Sequence, residues 1–394
     1  MLPTGYSPAE CGLWLVVSAA KDSQLAAIIV GHSFCTHSAT QYAASPILPI
    51  LHRIHSLLLS DDGPRLMTTN RSQFYSLPPR IISKPSINTM RVAVAGNGDL
   101  ARYICEEFTA AGHELIILTR SHKPQLERPG VTQFITDYTL QSLATALRDG
   151  EALISTIGDV SPAYVDLHHT LIQACQQSPT CKRFIPSEFA GDIETYPDQP
   201  AFYARSREPI RKLLREQTDL EWTLVCLGWL TDYIVPAKNR YIKEIGESCP
   251  INLADNSMMI PGTGNEPVDF TWARDTAKAL ERLVTTPAGQ WEPYTYISGE
   301  QATWNNVARI IRDKYRPDLK IQHLSLGKIV EIFRTSTDDD TVALSEHQLL
   351  SASRACALPQ EKVQAQRQKY FSGVYFRTLQ DGLAEFDRDA AVIV

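Results

Sequence analysis

The stretch Arg91-Val-Ala-Val-Ala-Gly-Asn-Gly-Asp-Leu-Ala-Arg102 decides the fold. Its first half reads as a short apolar strand. Gly96-Asn97-Gly98 reads as a tight turn, and Asp99-Leu100-Ala101 as the opening of a helix. That order builds a cradle for a diphosphate. Gly96 permits the sharp turn, and Gly98 lets backbone approach the anion without a Cβ in the way. The N–H groups that open the helix then face the anion with the positive end of the dipole. The pattern is G-x-G-x-x-A, with Ala101 at the third glycine position. A helix-length segment and a second apolar strand, Glu114 to Thr119, follow it, as a βαβ unit requires.

The residues after the second strand choose the cofactor. An NAD site places Asp or Glu here for the ribose 2′-hydroxyl, whereas this chain has Leu118-Thr-Arg-Ser-His-Lys123. Arg120 and Lys123 suit a 2′-phosphate, so the expected cofactor is NADP, in its reduced form NADPH. Glu114 opens the strand and stands at the wrong end to reach the ribose. Asp99 puts a negative charge near the diphosphate, which counts against tight binding unless its side chain turns away.

The chain has 394 residues, 43% hydrophobic and 21% charged, with net charge −6. That is enough for a core in one large or two modest domains, and it gives no general attraction to nucleic acid. The eight cysteines are scattered with no C-x-x-C pair, which fits buried thiols in a reducing, cytoplasmic setting. No metal is expected. His168 and His169 are adjacent on a helix, so their side chains point roughly 100° apart and cannot share an ion; they read as surface residues. Asp338-Asp339-Asp340 lacks the spacing of a calcium loop and reads as a turn. The apolar runs 13–20 and 25–31 are each too short to cross a bilayer, so no membrane partner is expected. Ser, Pro and Thr dominate from about 60 to 89. Residues 1–89 are expected to be a disordered extension, or no part of the functional fold, with Met90 as its candidate start.

Beyond the glycine turn, strands and helices alternate, the signature of an α/β doubly wound parallel sheet, or Rossmann fold. Strands are expected at 91–95, 114–119, 133–136, 152–156, 183–186 and 222–227. Helices are expected at 99–111, 139–149, 162–177 and near 207–217. From Trp229 the alternation fades, broken by Pro236, Pro250, Pro261, Gly262, Gly264 and Pro267. Helical patterns return at 272–284 and 304–315, with a strand at 294–298. Residues 90–228, with 272–298, are therefore expected to form the cofactor domain. Residues 229–271 and 299–394 are expected to form a smaller, mixed substrate region at the carboxyl ends of the strands, where the ligand crevice of an open α/β sheet lies.

Several segments carry a resemblance: the Gly96-Asn-Gly-Asp-Leu-Ala101 turn, Thr119-Arg120, Thr136-Asp137-Tyr138 with Ser142-Leu143, and above all Arg183-Phe-Ile-Pro-Ser-Glu-Phe-Ala-Gly-Asp192. Leu220-Glu-Trp-Thr-Leu224 and Val268-Asp-Phe-Thr-Trp272 with Asp275 extend it. From about 90 to 320 the chain resembles the NmrA-like and isoflavone-reductase-like branch of the atypical short-chain dehydrogenases. The resemblance implies NADPH binding. It places Gly96, Asn97, Gly98, Asp99 and Leu100 at the diphosphate and Arg120 at the 2′-phosphate. It places Asp137 and Tyr138 beside the adenine, and Ile157, Gly158, Pro186, Ser187, Glu188 and Phe189 along the nicotinamide. NmrA itself is a nucleotide-sensing regulator, so the family implies catalysis less firmly than binding.

Hydride transfer to a carbonyl or enone needs a proton donor beside the nicotinamide. Short-chain reductases use a Tyr and a Lys four residues on, with a Ser ending the fifth strand. Here Ser187 ends that strand, and Tyr203-Ala-Arg-Ser-Arg207 follows. The isoflavone-reductase branch uses a Lys in a segment like Phe202-Tyr-Ala-Arg205, where this chain has Arg205, or Arg207 with a different gap. The candidate catalytic set is thus Tyr203, Arg205, Arg207 and Ser187. An Arg supplies charge but relays no proton. Pro209 favours a helix start near Glu208, which would deny Tyr203 and Arg207 their one-turn spacing. Arg207, Arg211 and Arg215 recur every four residues, as on a solvated face, and Glu208 with Lys212 makes an i,i+4 pair. Tyr203 beside Phe202 reads equally as an aromatic packing pair. Trp229, after the sixth strand, is the candidate pocket wall.

The leading expectation is an NADPH-dependent reductase of a small, largely apolar, aromatic or polyketide-like molecule, working as monomer or homodimer. The alternative is a non-catalytic NADP(H)-sensing regulator. A third reading is an isomerase or dehydratase that keeps the nucleotide as a prosthetic group.

Overall fold

The computed structural model describes residues 89–394 and, before them, two strands, β1 (Trp14–Ala19) and β2 (Ala26–Gly31). These pair antiparallel, with Trp14 opposite Gly31. The expectation of a disordered extension otherwise lies outside the described residues.

From residue 89 the chain alternates as its periodicity implies. The elements are β3 (Arg91–Ala95), α1 (Asp99–Ala110), β4 (Glu114–Thr119), β5 (Val131–Ile135), α2 (Leu140–Ala146), β6 (Ala152–Ser155), α3 (Ala163–Gln177), β7 (Arg183–Ile185), α4 (Ala201–Glu216) and β8 (Glu221–Trp222). All six of these strands run parallel in the order β5-β4-β3-β6-β7-β8. Counted from β3, this is the 3-2-1-4-5-6 order of a doubly wound dinucleotide-binding sheet. Strands buried on both faces are apolar throughout. Val92, Val94, Leu115, Ile117 and Ile154 enter one core with Tyr103, Ile104 and Phe108 of α1. Ala93, Ala95, Ile116, Leu118 and Leu153 enter the other with Leu143, Leu171, Ile210 and Leu214 of α2, α3 and α4. The two-residue period of a strand sends neighbours to opposite faces.

The sixth strand differs from expectation. It breaks at Thr223: β8 stays in the main sheet, while β9 (Leu224–Cys226) turns away. The chain continues through β10 (Trp229–Leu230), β11 (Ile251–Asn252), β12 (Ser257–Pro261), β13 (Val268–Thr271), α5 (Ala273–Thr285) and β14 (Tyr294–Tyr296). β14 pairs in parallel with β9, and Thr223 Oγ1 lies 2.7 Å from Thr295 Oγ1. α5 covers the same sheet face as α1, through Leu280, Leu283 and Val284. Asp232 links these elements: it accepts from the Ala273 N–H at 2.8 Å and from the Tyr103 hydroxyl at 3.0 Å.

The remaining elements are β15 (Glu300–Ala302), α6 (Trp304–Lys314), β16 (Lys320–Leu324), α7 (Leu326–Thr335), α8 (Asp339–Ala352), α9 (Gln360–Tyr370) and α10 (Leu379–Arg388). Two small sheets, β10-β13-β15 and β11-β12-β16, belong to this mixed region. Asp338 is no calcium-loop or simple turn residue. Its carboxylate accepts from the Thr341 N–H at 2.9 Å and caps α8, whose first turn holds Asp339 and Asp340.

Helix α4 corrects the sequence reading in two ways. It begins at Ala201, not near Glu208, and runs on through Pro209. Pro200 offers no side-chain cap, but Glu346 of α8 accepts from the Phe202 N–H at 2.6 Å and supplies one from far along the chain. Tyr203 and Arg207 therefore share a helix face one turn apart.

Candidate functional site

The expected cofactor residues come together because each follows a strand of one parallel sheet. Gly96–Leu100 follow β3, Arg120 and Lys123 follow β4, and Asp137 and Tyr138 follow β5. Ile157 and Gly158 follow β6, and Pro186–Phe189 follow β7. All stand at the carboxyl-end edge, and the direction of chain crossover reverses between β3 and β6.

At that switch point Gly96 adopts φ 105°, and a Cβ there would lie 2.8 Å from Thr156 Oγ1. Only glycine fits both demands. A Cβ on Gly98 or Gly158 would meet no protein atom within 4 Å. This open cradle at the start of α1 fits a dinucleotide diphosphate. Hydrogen bonds tie the neighbouring loops to it. Asn97 Nδ2 donates to Thr119 Oγ1 at 2.6 Å, and the Tyr138 hydroxyl donates to the Leu118 carbonyl at 2.6 Å. The Arg120 guanidinium lies 5.7 Å from the Tyr138 ring centroid. Tyr138 adopts φ 64°, a left-handed conformation that costs about 1–3 kcal/mol in a non-glycine residue and is typical of binding loops.

Two expected contributors have other partners, and a third is held through its backbone. Asp99 is already engaged: its Oδ2 accepts from the Lys243 N–H at 2.8 Å. Asp137 is exposed and accepts from the Thr139 N–H and hydroxyl at 3.0 and 2.8 Å; these bonds lower its pKa. Lys123 is clasped through its backbone by Gln133.

On the nicotinamide side the arginine stripe is not a solvated face. Arg207 and Arg211 are each 2% exposed. Arg211 donates to both oxygens of Glu188, at 2.9 and 2.8 Å, and to the Pro197 carbonyl at 2.6 Å. Burial opposes its charge, but the Glu188 hydrogen bonds and charge prevail and raise its pKa. Only Arg215 is exposed, and it takes Glu208; Lys212 pairs with Glu216 instead of the expected Glu208.

Arg207 lies between two rings, 3.8 Å from the Tyr164 centroid and 4.6 Å from that of Tyr203. Its Nη1 donates to the Asp159 carbonyl and to Ser206 Oγ, both at 2.6 Å. Among the described residues its Nε and Nη2 have no hydrogen-bond partner, nor has the Tyr203 hydroxyl. Burial raises the Tyr203 pKa and the Arg207 charge partly offsets it, so the hydroxyl carries its proton at neutral pH. Ser187 is buried, and its carbonyl accepts from the Tyr164 hydroxyl at 3.2 Å. Arg205 does not join this group: its side chain is 67% exposed and reaches Glu346 at 3.6 Å.

Four contributors went unrecognised in the sequence: Tyr164, His168, Glu346 and His347. His168 is fully buried, contrary to the surface reading, because α3 turns it under the sheet while His169 faces out. It stacks on Tyr164 at 3.7 Å. Its Nδ1 donates to the Tyr164 carbonyl at 3.0 Å, which leaves Nε2 to accept from the Ser155 hydroxyl at 2.9 Å. The i,i+4 spacing of Tyr164 and His168 was the available signal. His347 of α8 packs on Phe202 at 4.6 Å and edge-on to Tyr203 at 6.2 Å; burial lowers its pKa to about 4. Trp229 packs edge-on against Trp304 at 5.5 Å, with Tyr233 beside it at 6.5 Å.

Two buried groups set opposite pH dependences. Burial lowers the His168 pKa to about 3. Between about 6.5 and 3 the unfolded chain binds a proton there that the folded chain refuses, so stability falls as pH drops. Burial raises the Asp232 pKa to about 6 from its ordinary 3.8. Across that window the folded chain holds the extra proton, so this contribution rises as pH drops. Chemical denaturation from pH 7 to 4 should show a shallower acid loss for His168→Gln and a steeper one for Asp232→Asn. Parallel pH curves for both variants and the parent would refute the assignment.

A glycine cradle at the switch point of a doubly wound sheet defines the chain as a dinucleotide-fold protein. Residues 88–345 match the NmrA-like family. Oxidoreductase swnR of Arthroderma benhamiae is 61% identical over 298 residues, 76% of this chain and 98% of the relative. Isoflavone reductase homolog A622 of Nicotiana glauca is 28% identical over 259 residues, 61% of this chain and 79% of the relative. The binary complex of leucoanthocyanidin reductase and NADPH from Vitis vinifera shares the fold, with TM-score 0.59 and 16% identity over 75% of this chain and 99% of that one. The chain belongs to the NmrA-like family. Among the described residues no helix is long and apolar enough to cross a membrane.

Proposed function

We propose that the chain is an NADPH-dependent reductase of a small, largely apolar molecule, aromatic or polyketide-like, acting on a carbonyl or enone. The observation that carries this is the Tyr203–Arg207 pair, one turn apart on α4, with Arg207 held by the carbonyl of Asp159 directly after Gly158. The named activities of its relatives support the oxidoreductase assignment. Residues 90–228 with 272–298 hold the cofactor: Gly96, Asn97, Gly98, Asp99 and Leu100 form the diphosphate cradle, and Arg120 and Lys123 take the 2′-phosphate. Asp137 and Tyr138 border the adenine, while Ile157, Gly158 and Pro186–Phe189 line the nicotinamide.

When bound, NADPH supplies a hydride. The free N–H groups of Arg207 hold the substrate oxygen and stabilise the negative charge that grows there. The neutral Tyr203 hydroxyl gives that oxygen its proton. Hydride and proton together turn a carbonyl into an alcohol, or an enone into a saturated ketone through its enol. Ser187, whose carbonyl takes the hydroxyl of Tyr164, the other ring on Arg207, is the proposed second hydroxyl. Residues 229–271 and 299–394 set the substrate. Phe202 and His347 beside Tyr203 support an apolar one.

The test is NADPH oxidation by the full chain across a panel of carbonyl and enone compounds. Turnover that Tyr203→Phe lowers is expected. NADPH binding without turnover of any member would favour the sensing regulator. Coenzyme choice gives a second test. Loss of a charge-assisted contact costs about 1.5–3 kcal/mol. Arg120→Ser with Lys123→Ser should therefore weaken NADPH by at least about tenfold and leave NADH binding unchanged, as read by calorimetry. Equal weakening of both coenzymes would remove these residues from the 2′-phosphate.

A further inference from the structure

A strap, residues 240–243, lies along one face of α1. Its contacts fall on Asp99, Arg102, Tyr103 and Glu106, the i, i+3, i+4 and i+7 positions that share a helix face. The Tyr241 N–H donates to the Tyr103 hydroxyl oxygen at 2.9 Å, and the Tyr241 hydroxyl donates to Glu106 Oε1 at 2.6 Å. The Arg102 guanidinium sits 3.6 Å from the Tyr241 ring centroid. At the end of the strap the Lys243 N–H donates to Asp99 Oδ2 at 2.8 Å. These four anchors hold the backbone of residue 243 at the side chain of Asp99, the residue directly after Gly98.

The Lys243 side chain is left over by this arrangement. Its ammonium lies 3.8 Å from Asp99 Oδ1, a loose ion pair, and is 83% exposed. A backbone N–H already satisfies the carboxylate that the ammonium approaches, so the charge is not needed to hold the strap. Asp99, first residue of α1 and next to Gly98, otherwise leaves the cradle with a negative charge of its own. A diphosphate entering there adds more of the same sign, and the cation nearest that carboxylate among the described residues is Lys243.

We propose that Lys243 is a diphosphate-binding residue of the coenzyme site: the strap delivers an exposed ammonium that offsets Asp99 and turns to the dinucleotide when it binds. This rests on the coenzyme reading above and adds a ligand from beyond Phe189, the last of the coenzyme residues named there. The diphosphate is common to NADH and NADPH, whereas the 2′-phosphate is not. Lys243 and Arg120 therefore leave different signatures.

Calorimetric titration of the full-length protein with each coenzyme separates them. Lys243→Ala is expected to weaken NADPH and NADH by the same factor, about three- to tenfold, and to flatten the salt dependence of both. Lys243→Arg should restore most of the loss. Arg120→Ser should weaken NADPH alone. Because Lys243 is exposed, the thermal midpoint of Lys243→Ala should match the parent. Unchanged affinity for both coenzymes in Lys243→Ala would overturn the proposal and leave the coenzyme reading intact. Weakening of NADPH alone would also overturn it, by moving Lys243 to the 2′-phosphate. Failure of the parent protein to bind either coenzyme would overturn the coenzyme reading, and this proposal with it.

Discussion

Arg211→Met is expected to lower the unfolding free energy by about 3–5 kcal/mol, the usual cost of removing one partner from a buried ion pair. The side chains of Arg211 and Glu188 are 3% and 2% exposed, and the contact is bidentate. With Arg211 gone, the Glu188 carboxylate stays buried without its cation, and the Pro197 carbonyl loses its donor. The cost should come from that stranded charge rather than from the lost attraction. Glu188→Gln combined with Arg211→Met should therefore be more stable than Arg211→Met alone. One residue along the same helix, Lys212 makes an exposed pair with Glu216 at 3.8 Å. Lys212→Met should change stability by less than about 1 kcal/mol. Urea denaturation of the four proteins decides the matter. Similar small losses for Arg211→Met and Lys212→Met would mean that the Glu188–Arg211 pair is solvated.

That contrast marks the limit of what local pattern reveals. The parallel sheet was legible because β3, β4 and β6 each carry an unbroken apolar run and are separated by helix-bearing segments. Gly96 and Gly98 were legible because the turn needs conformations and clearances that few residues supply. The fate of the arginines was not. Arg207, Arg211 and Arg215 repeat every four residues as charges on a solvated helix do, and nothing in the repeat distinguishes the buried two from the exposed one. Glu188 and the Asp159 carbonyl, from loops after other strands, bury them. The start of α4 was hidden for the same reason, since its cap comes from Glu346, 144 positions beyond Phe202. Helices α8 and α9 escaped detection because their apolar residues do not gather on one face. Thr223, where the sixth strand breaks, looks like any β-branched strand residue. Only the pairing of β9 with β14 explains the turn.

Arg207→Met should lower kcat by about 10²–10³-fold, the loss typical of removing one oxyanion donor, while leaving NADPH affinity near that of the parent. Two rings clamp the guanidinium and two acceptors hold Nη1, so Nε and Nη2 are oriented before any substrate arrives. Donors fixed in advance need no reorganisation as charge develops, which is why such a contact counts for more in the transition state than in the ground state. Lys at this position keeps the charge but not the planar fork that the rings grip, so Arg207→Lys should fall between parent and Arg207→Met. An arginine relays no proton, so the proton must come from elsewhere, and Tyr203, whose ring packs on the guanidinium and whose hydroxyl has no hydrogen-bond partner among the described residues, is the proposed donor. A readout independent of turnover follows from the same geometry. The Arg207 charge lowers the Tyr203 pKa against the effect of burial, so the Tyr203 titration should move upward in Arg207→Met. If the tyrosine titration stayed in place and turnover held within a few-fold of the parent, Arg207 would be a packing residue, and the chemistry at the reacting oxygen would belong to another group.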